Sequence, residues 1–288
     1  RSLALAHQLG HRLIGEHDEP IGLLDRLVQH ARTTARYNVY QGTGRDRYDV
    51  RGRVAHESLF NTNDGRYRCA STQQGYSPFT TWTRGLAWVM LGYAELLEFL
   101  ESVEDAALEP LGGRRDIAGM MLEAARASCD FYIETTPTDG VPYWDTGAPG
   151  LAEMPGHRER PADPHNDHEP VDSSAAAIAC QGLVRLGRVL EPTDPAAAAE
   201  YTRAGLATLA TLLDTPYLST DPDHQGLLLH AVYHRPNGWD HVPEGSNIPR
   251  GESCLWGDYH LREAAVYVGR LAEGQDHSFF RAEDEGPS

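Results

Sequence analysis

The sequence predicts an all-α protein, and three observations carry that prediction. Apolar residues recur at helical spacing in about seven stretches, these stretches are joined alternately by short turns and by long irregular loops, and no GxGxxG or GxxxxGK[ST] motif interrupts the pattern. Of the 288 residues, 40% are hydrophobic and the mean hydropathy is -0.49, as in an ordinary globular chain able to bury a large core.

The elements follow in order. Leu3, Leu5, Ala6, Leu9 and Leu13 give a first helix, and after the break at Glu19-Pro20, Leu23, Leu24, Leu27, Val28 and Ala31 give a second. A polar, Gly- and Arg-rich stretch from Tyr40 to about Ser77 is too long for a plain connection, and its Asn63-Asp64-Gly65 step predicts a hairpin turn. Helices are expected from Trp82 to about Leu100, Arg114 to Ile133, Ser173 to Leu190, Pro195 to Leu213 and Leu255 to Leu271. Asp172 or Ser173 is a suitable N-cap for the fifth, and "GLLLHAVYH", Gly226 to His234, reads as a short strand. The loops 137–171 and 216–253 are rich in Trp, His, Asp and Gly, which suits loops lining a site at one end of a helical scaffold. Residues 275–288 read as a frayed acidic tail.

Charge and cysteine usage exclude several classes. A net charge of -17 disfavours non-specific binding to nucleic acid, to anionic membranes or to any long polyanion, so an anionic substrate would need a local cationic pocket, and no apolar run approaches the roughly 20 residues that span a bilayer. Cys69, Cys129, Cys180 and Cys254 stand apart, without a CxxC pair, and read as isolated thiols. The chain begins at Arg1 inside an amphipathic pattern, so an N-terminally truncated sequence is expected.

Four stretches hold the chemistry-bearing residues. In "TTWTRGLAW", Thr80 to Trp88, with Thr80 or Thr81 as the N-cap, Arg84 falls in the first turn of a helix, where the dipole opposes a cation but favours a bound anion. Trp82 and Trp88 flank it, an arrangement suited to an acidic sugar, with indoles on the pyranose and the guanidinium on its carboxylate. A structural arginine paired with a neighbouring loop, with both tryptophans in the core, fits the spacing equally. "VPYWD" offers Trp144 and Asp145 to a cavity, or a turn-capping carboxylate. Asp163, His165, Asp167 and His168 lack the helical geometry of a metal motif, so neither metal nor cofactor is expected. "ESCLWGDYH" places Trp256 and Tyr259 on one helix face and Asp258 in its first turn.

Taken together, "GYSPFTTWTRGLAW", "GVPYWDTGAPG", "EPVDSSAAAIACQGLVRLG", "GLLLHAVYH" and "SCLWGDYHLREA" resemble, in order and spacing, the unsaturated glucuronyl hydrolases of glycoside hydrolase family 88, relatives of the family 105 unsaturated rhamnogalacturonyl hydrolases. The resemblance spans about Leu23 to Leu271. It implies an (α/α)6 barrel formed by one catalytic domain, and removal of a 4,5-unsaturated uronic acid from the non-reducing end of an unsaturated uronyl oligosaccharide. The implied chemistry protonates C4 of the vinyl ether, adds water at C5 and opens the resulting hemiketal. Residue by residue, it implies that His56, Gln74, Trp82, Arg84, Trp88, Trp144 and Asp145 line the substrate pocket. The two aspartates credited with catalysis in the family would lie upstream of Arg1. With about seven helices where the barrel needs twelve, the N-terminal helices are expected to be missing, and the exposed apolar faces, at about 25 cal/mol per Å², favour a homo-oligomer. Two other readings are a non-catalytic uronate-binding protein and a sugar epimerase using His56 with His230 or His234.

Overall fold

The computed structural model describes residues 1–275 and 278–280. Among the described residues it holds eight α-helices and two small antiparallel hairpins, in the order α1 (Ser2–Gln8), β1 (Leu13–Ile14), β2 (Pro20–Ile21), α2 (Leu23–Tyr37), β3 (Glu57–Phe60), β4 (Tyr67–Ser71), α3 (Thr83–Glu101), α4 (Asp105–Leu108), α5 (Arg114–Thr135), α6 (Ser173–Leu190), α7 (Pro195–Leu212) and α8 (Leu255–Ala272). No helix among the described residues is long and apolar enough to cross a membrane.

Helix α6 is the centre of the packing, because small side chains occupy most of its surface. Sixteen of its 18 residues are buried, including the run Ala175-Ala176-Ala177. Asp172 caps it as the sequence predicts, accepting from the N–H groups of Ser174 and Ala175. It packs against α3, α7 and α8, while α5 backs α3, so α3, α6 and α8 form a row with α5 and α7 behind it. The approach of α3 to α6 is set by Gly182, where an added Cβ would stand 2.8 Å from the backbone nitrogen of Leu91. Helices α6 and α7 are joined by a four-residue turn in which Asp194 caps α7 and Pro195 takes its first position. Gly112 and Gly113, both at positive φ, reverse the chain into α5.

Three expectations are corrected. The first helix stops at Gln8 instead of reaching Leu13, since Gly10 adopts a φ of 74° and Leu13-Ile14 turn to pair with Pro20-Ile21. The stretch 226–234 is no strand: His230 sits at φ 67°, which breaks the alternation, and the N–H groups of Leu227 and Leu228 go to the Asp258 carboxylate. Neither Thr80 nor Thr81 caps α3; Trp82 holds the cap position, and the Thr83 hydroxyl donates to the carbonyl of Tyr143. The hairpin predicted around Asn63-Asp64-Gly65 is present as β3–β4. Of the expected tail, residues 276–277 and 281–288 lie outside the described residues, whereas Phe280 is buried with its ring 5.3 Å from that of Phe99.

The close approach at Gly182 predicts that Gly182→Ala lowers the unfolding free energy by about 1–3 kcal/mol through overpacking. Gly269→Ala, on the open face of α8, leaves stability unchanged or raises it by up to about 1 kcal/mol, and urea denaturation compares the two.

Candidate functional site

Arg84 is buried, at 3% exposure, and its guanidinium is fully engaged on one side by protein. Nη1 bonds the Asp172 carboxylate at 3.0 Å, the Ser174 hydroxyl at 3.2 Å and the carbonyl of Val232; Nη2 donates to the carbonyl of Tyr233 at 2.8 Å. One side chain therefore joins the start of α3, the cap of α6 and the 230–233 segment. The sequence left two readings of this arginine, and the structure supplies the partner that the structural reading requires. A uronate carboxylate reaching Arg84 would share it with Asp172.

Aromatic rings extend outward from this ion pair. The guanidinium carbon lies 4.8 Å from the Trp82 ring and 5.0 Å from the Trp256 ring. Trp256, its indole N–H on the Ser174 hydroxyl, lies 5.6 Å from Tyr233 at 32°, and Tyr233 lies 5.7 Å from Trp239 at 30°. Exposure rises along the series: Tyr233 is 44% and Trp239 60% exposed. These rings line the inner edge of a 1040 Å³ open cleft together with His241, Arg250 and Asp258. Ring faces at small mutual angles, leading to a buried cation, form a shelf suited to the apolar faces of pyranose rings.

His56 packs on Trp82, and Gln74 reaches the His56 ring through its backbone N–H. The His56 ring lies 4.6 Å from Trp82, and its Nδ1 accepts from the backbone N–H groups of Gln73 and Gln74, which leaves the proton on Nε2. Burial lowers the His56 pKa against the opposing pull of the Glu57 charge, with His234 and Arg84 adding to the lowering, so the ring is a neutral donor near pH 7. The His234 ring packs on Trp239 and the His230 ring on His165 and Tyr217, so neither histidine is in ring contact with His56.

The remaining expected residues stand elsewhere. For Trp144 and Asp145 the sequence left a cavity-facing pair or a turn-capping carboxylate; both residues are buried, and Asp145 caps its own turn at the Gly147 N–H while bordering a small 230 Å³ cavity. The Trp144 indole N–H donates to Glu169 at 2.8 Å, and the Asp145 carboxylate accepts from Tyr76 and Gly147 at 2.9 Å each. Burial raises the pKa of Asp145 despite these bonds. Asp145 therefore fixes the loop that carries Gln74 against the one that follows Trp144. Trp88, 40% exposed, meets the edge of His260 at 5.0 Å and borders a separate 440 Å³ cavity with Leu27, Ala31 and Tyr93. Among the described residues, no group of three or more His, Cys, Asp or Glu side chains could hold a metal ion.

No family model matches the chain. It is 27% identical over 230 residues to the unsaturated glucuronyl hydrolase of Bacillus sp. (strain GL1), covering 79% of this chain and 50% of that protein. It is 26% identical over 212 residues to the unsaturated chondroitin disaccharide hydrolase of Streptococcus pyogenes serotype M1, covering 73% and 43%. The crystal structure of the Bacillus sp. GL1 enzyme superposes with a TM-score of 0.61 at 25% identity, over 84% of this chain and 51% of that one. The chain is a homologue of the unsaturated glucuronyl hydrolases. This homologue spans about half the length of the curated relatives it matches, and its helices match their (α/α)6-barrel structures over about half of each. A second solved structure, "UGL_D88N/dGlcA-Glc-Rha-Glc", shares the fold with a TM-score of 0.65 at 24% identity, over 93% of this chain and 56% of that one.

Within this glucuronyl hydrolase homologue, Tyr233 and Trp239 are the shelf residues that sequence reasoning missed, while His234 entered only as a possible base of an epimerase. Their signal was present, since a Tyr and a Trp six residues apart in a Gly- and Pro-containing loop seldom both find cover. Reading that stretch as a strand concealed it.

Two predictions follow from these burials. Asp172→Ala leaves the Arg84 cation buried without its counter-charge and lowers the unfolding free energy by about 3–5 kcal/mol in urea titration. His230 and His260, their pKa values pushed down by burial from 6.5 to about 4, stay neutral in the fold while the unfolded chain protonates. Stability is therefore full above pH 6.5 and falls as pH drops toward about 4, by up to about 1.4 kcal/mol per pH unit for each histidine. His260→Gln removes one share of that slope, read from unfolding free energies across the same range.

Proposed function

We propose that the protein carrying this chain removes a 4,5-unsaturated uronic acid from the non-reducing end of oligosaccharides, by hydration of the vinyl ether. The observation that supports this reading is the buried Arg84 at the foot of the Trp256–Tyr233–Trp239 shelf, in a homologue of glucuronyl and chondroitin disaccharide hydrolases. The shelf stacks the sugar rings, and the His56 Nε2–H donates to a ring hydroxyl or carboxylate. Arg84 draws the uronate inward while Asp172 and two backbone carbonyls fix its orientation. The reaction requires a proton for C4 and a water at C5, then hemiketal opening to a keto-aldehyde with release of the remaining sugar. None of the pocket residues named above is assigned as that proton donor.

The test is incubation with an unsaturated chondroitin disaccharide, following the ultraviolet absorbance of its C4=C5 bond and the release of the second sugar. Loss of absorbance with release is the expected result. Tight binding with the double bond retained supports a uronate-binding protein instead. In the active protein, Arg84→Ala raises KM at least about tenfold; unchanged kinetics in a folded variant would remove Arg84 from the binding role.

A further inference from the structure

All 25 basic Lys/Arg positions in the chain are arginines, and they are unevenly placed. Residues 36–68 hold seven of them against Asp46, Asp49, Glu57 and Asp64, a local formal charge of +3 in a chain of -17. This stretch comprises the end of α2, the 38–56 loop and the β3–β4 hairpin, which lie against one another. Tyr37 stacks on Tyr67 at 5.0 Å, and Arg45 donates to the carbonyl of Arg36 and lies 3.7 Å over the Tyr40 ring.

Three of the seven arginines hold the scaffold. Arg45 and Arg53 bind backbone carbonyls, and Arg51 pairs with Asp130 at 2.6 Å. Arg47, Arg66 and Arg68 are exposed, Arg66 with 86% of its side chain in solvent and only a 3.8 Å contact to Asp64. Beside Arg47, Tyr48 stacks on Phe79 at 4.3 Å and 26°, yet these rings remain 39% and 52% exposed. Arg53 fixes the pair by donating both to the Tyr48 carbonyl at 2.7 Å and to the Pro78 carbonyl at 3.1 Å. The Asp49 carboxylate accepts from Gly42 and Arg45, which stiffens the same loop. A rigid, exposed ring pair loses little entropy when a ligand stacks on it.

From this we infer a docking surface for the body of an anionic, uronate-rich polysaccharide, formed by Tyr48 and Phe79 with Arg47, Arg66 and Arg68. The choice of glycan rests on the reading of the pocket as a sugar site. Phe79 precedes Trp82 by three residues, so the platform is at most about 11 Å of chain from the ring that lies against Arg84. Guanidinium forks match carboxylates and sulfates, and ring faces match pyranose C–H surfaces. A uronate polymer also carries fewer charges per unit length than nucleic acid, which suits an otherwise acidic protein. Attachment at this surface raises the local concentration of chain ends at the pocket.

The experiment measures binding of polymeric chondroitin to the protein and to two variants, Tyr48→Ser/Phe79→Ser and Arg47→Ala/Arg66→Ala/Arg68→Ala. Both are surface changes. The expected result is polymer binding that weakens at least about tenfold in each variant, with binding and turnover of the unsaturated disaccharide unchanged. Variants that hold the polymer as tightly as the parent, or a parent that does not bind it, overturn the inference. Equal binding of single-stranded oligodeoxythymidine, lost in the same variants, assigns the surface to nucleic acid and overturns it too. Trp256→Ala separates the two sites: it abolishes disaccharide binding and leaves polymer binding in place. A parent that ignores the disaccharide but binds the polymer through these residues refutes only the proposed hydrolysis.

Discussion

The ion pair between Arg84 and Asp172 is the constraint on which the site depends. Both groups are almost entirely out of water, and in that setting a charge persists only where its partners are fixed. Asp172 meets the demand twice over, as the cap of α6 and as the counter-ion of Arg84, while Ser174 bridges the two by bonding both. The pair thereby sets where α3 begins relative to α6. It also fixes the 230–233 segment, whose Val232 and Tyr233 carbonyls accept from Nη1 and Nη2. A hydrophobic contact in the same place would glue the elements together without specifying their register.

From that fixed point the site grows by stacking. Trp82 and Trp256 both lie against the guanidinium, and Trp256 is held there by its indole N–H on the Ser174 hydroxyl. A second, largely buried network stands further along the same three helices, where Arg1 and Arg185 meet Glu95, Glu98 and Glu263. The interior of the helical scaffold is thus pinned by charges at two levels, with Ala- and Leu-rich packing between and around them. His260 lies at the second level, bonded to Gln181 and beside Trp88.

Helices were legible in the sequence because their signals are local. The apolar period of α3, the Asp172 cap and small residues of α6, and the Asp194-Pro195 start of α7 each fall within a few residues. The partner of Arg84 was not legible, for it lies 88 residues away and nothing in "TTWTRGLAW" points to it. Asp145 shows the same limit from the other side. Its neighbours suggested a cavity, but the amides that claim it come from Tyr76, 69 residues earlier, as well as from its own turn. The apolar run of Leu227 to Val232 looked like a strand because side-chain pattern is all that a sequence displays, whereas its amides are divided between the carboxylates of Asp258 and Asp172, which take Leu227, Leu228 and Val232, and the backbone carbonyls of Tyr217 and Glu252, which take Leu229 and Ala231.

That mode of support bears on how such a site can diverge. Asp258 holds Leu227 and Leu228, Asp172 holds Val232, and Asp240 holds Tyr233 and His234, all through backbone N–H groups. The shape of the loop is written in its main chain and in three distant aspartates, and the outward side chains of Tyr233 and Trp239 contribute little to it. Lineages are therefore free to exchange those two rings for polar or charged groups, and so change the sugar that is recognised, while the loop keeps its path.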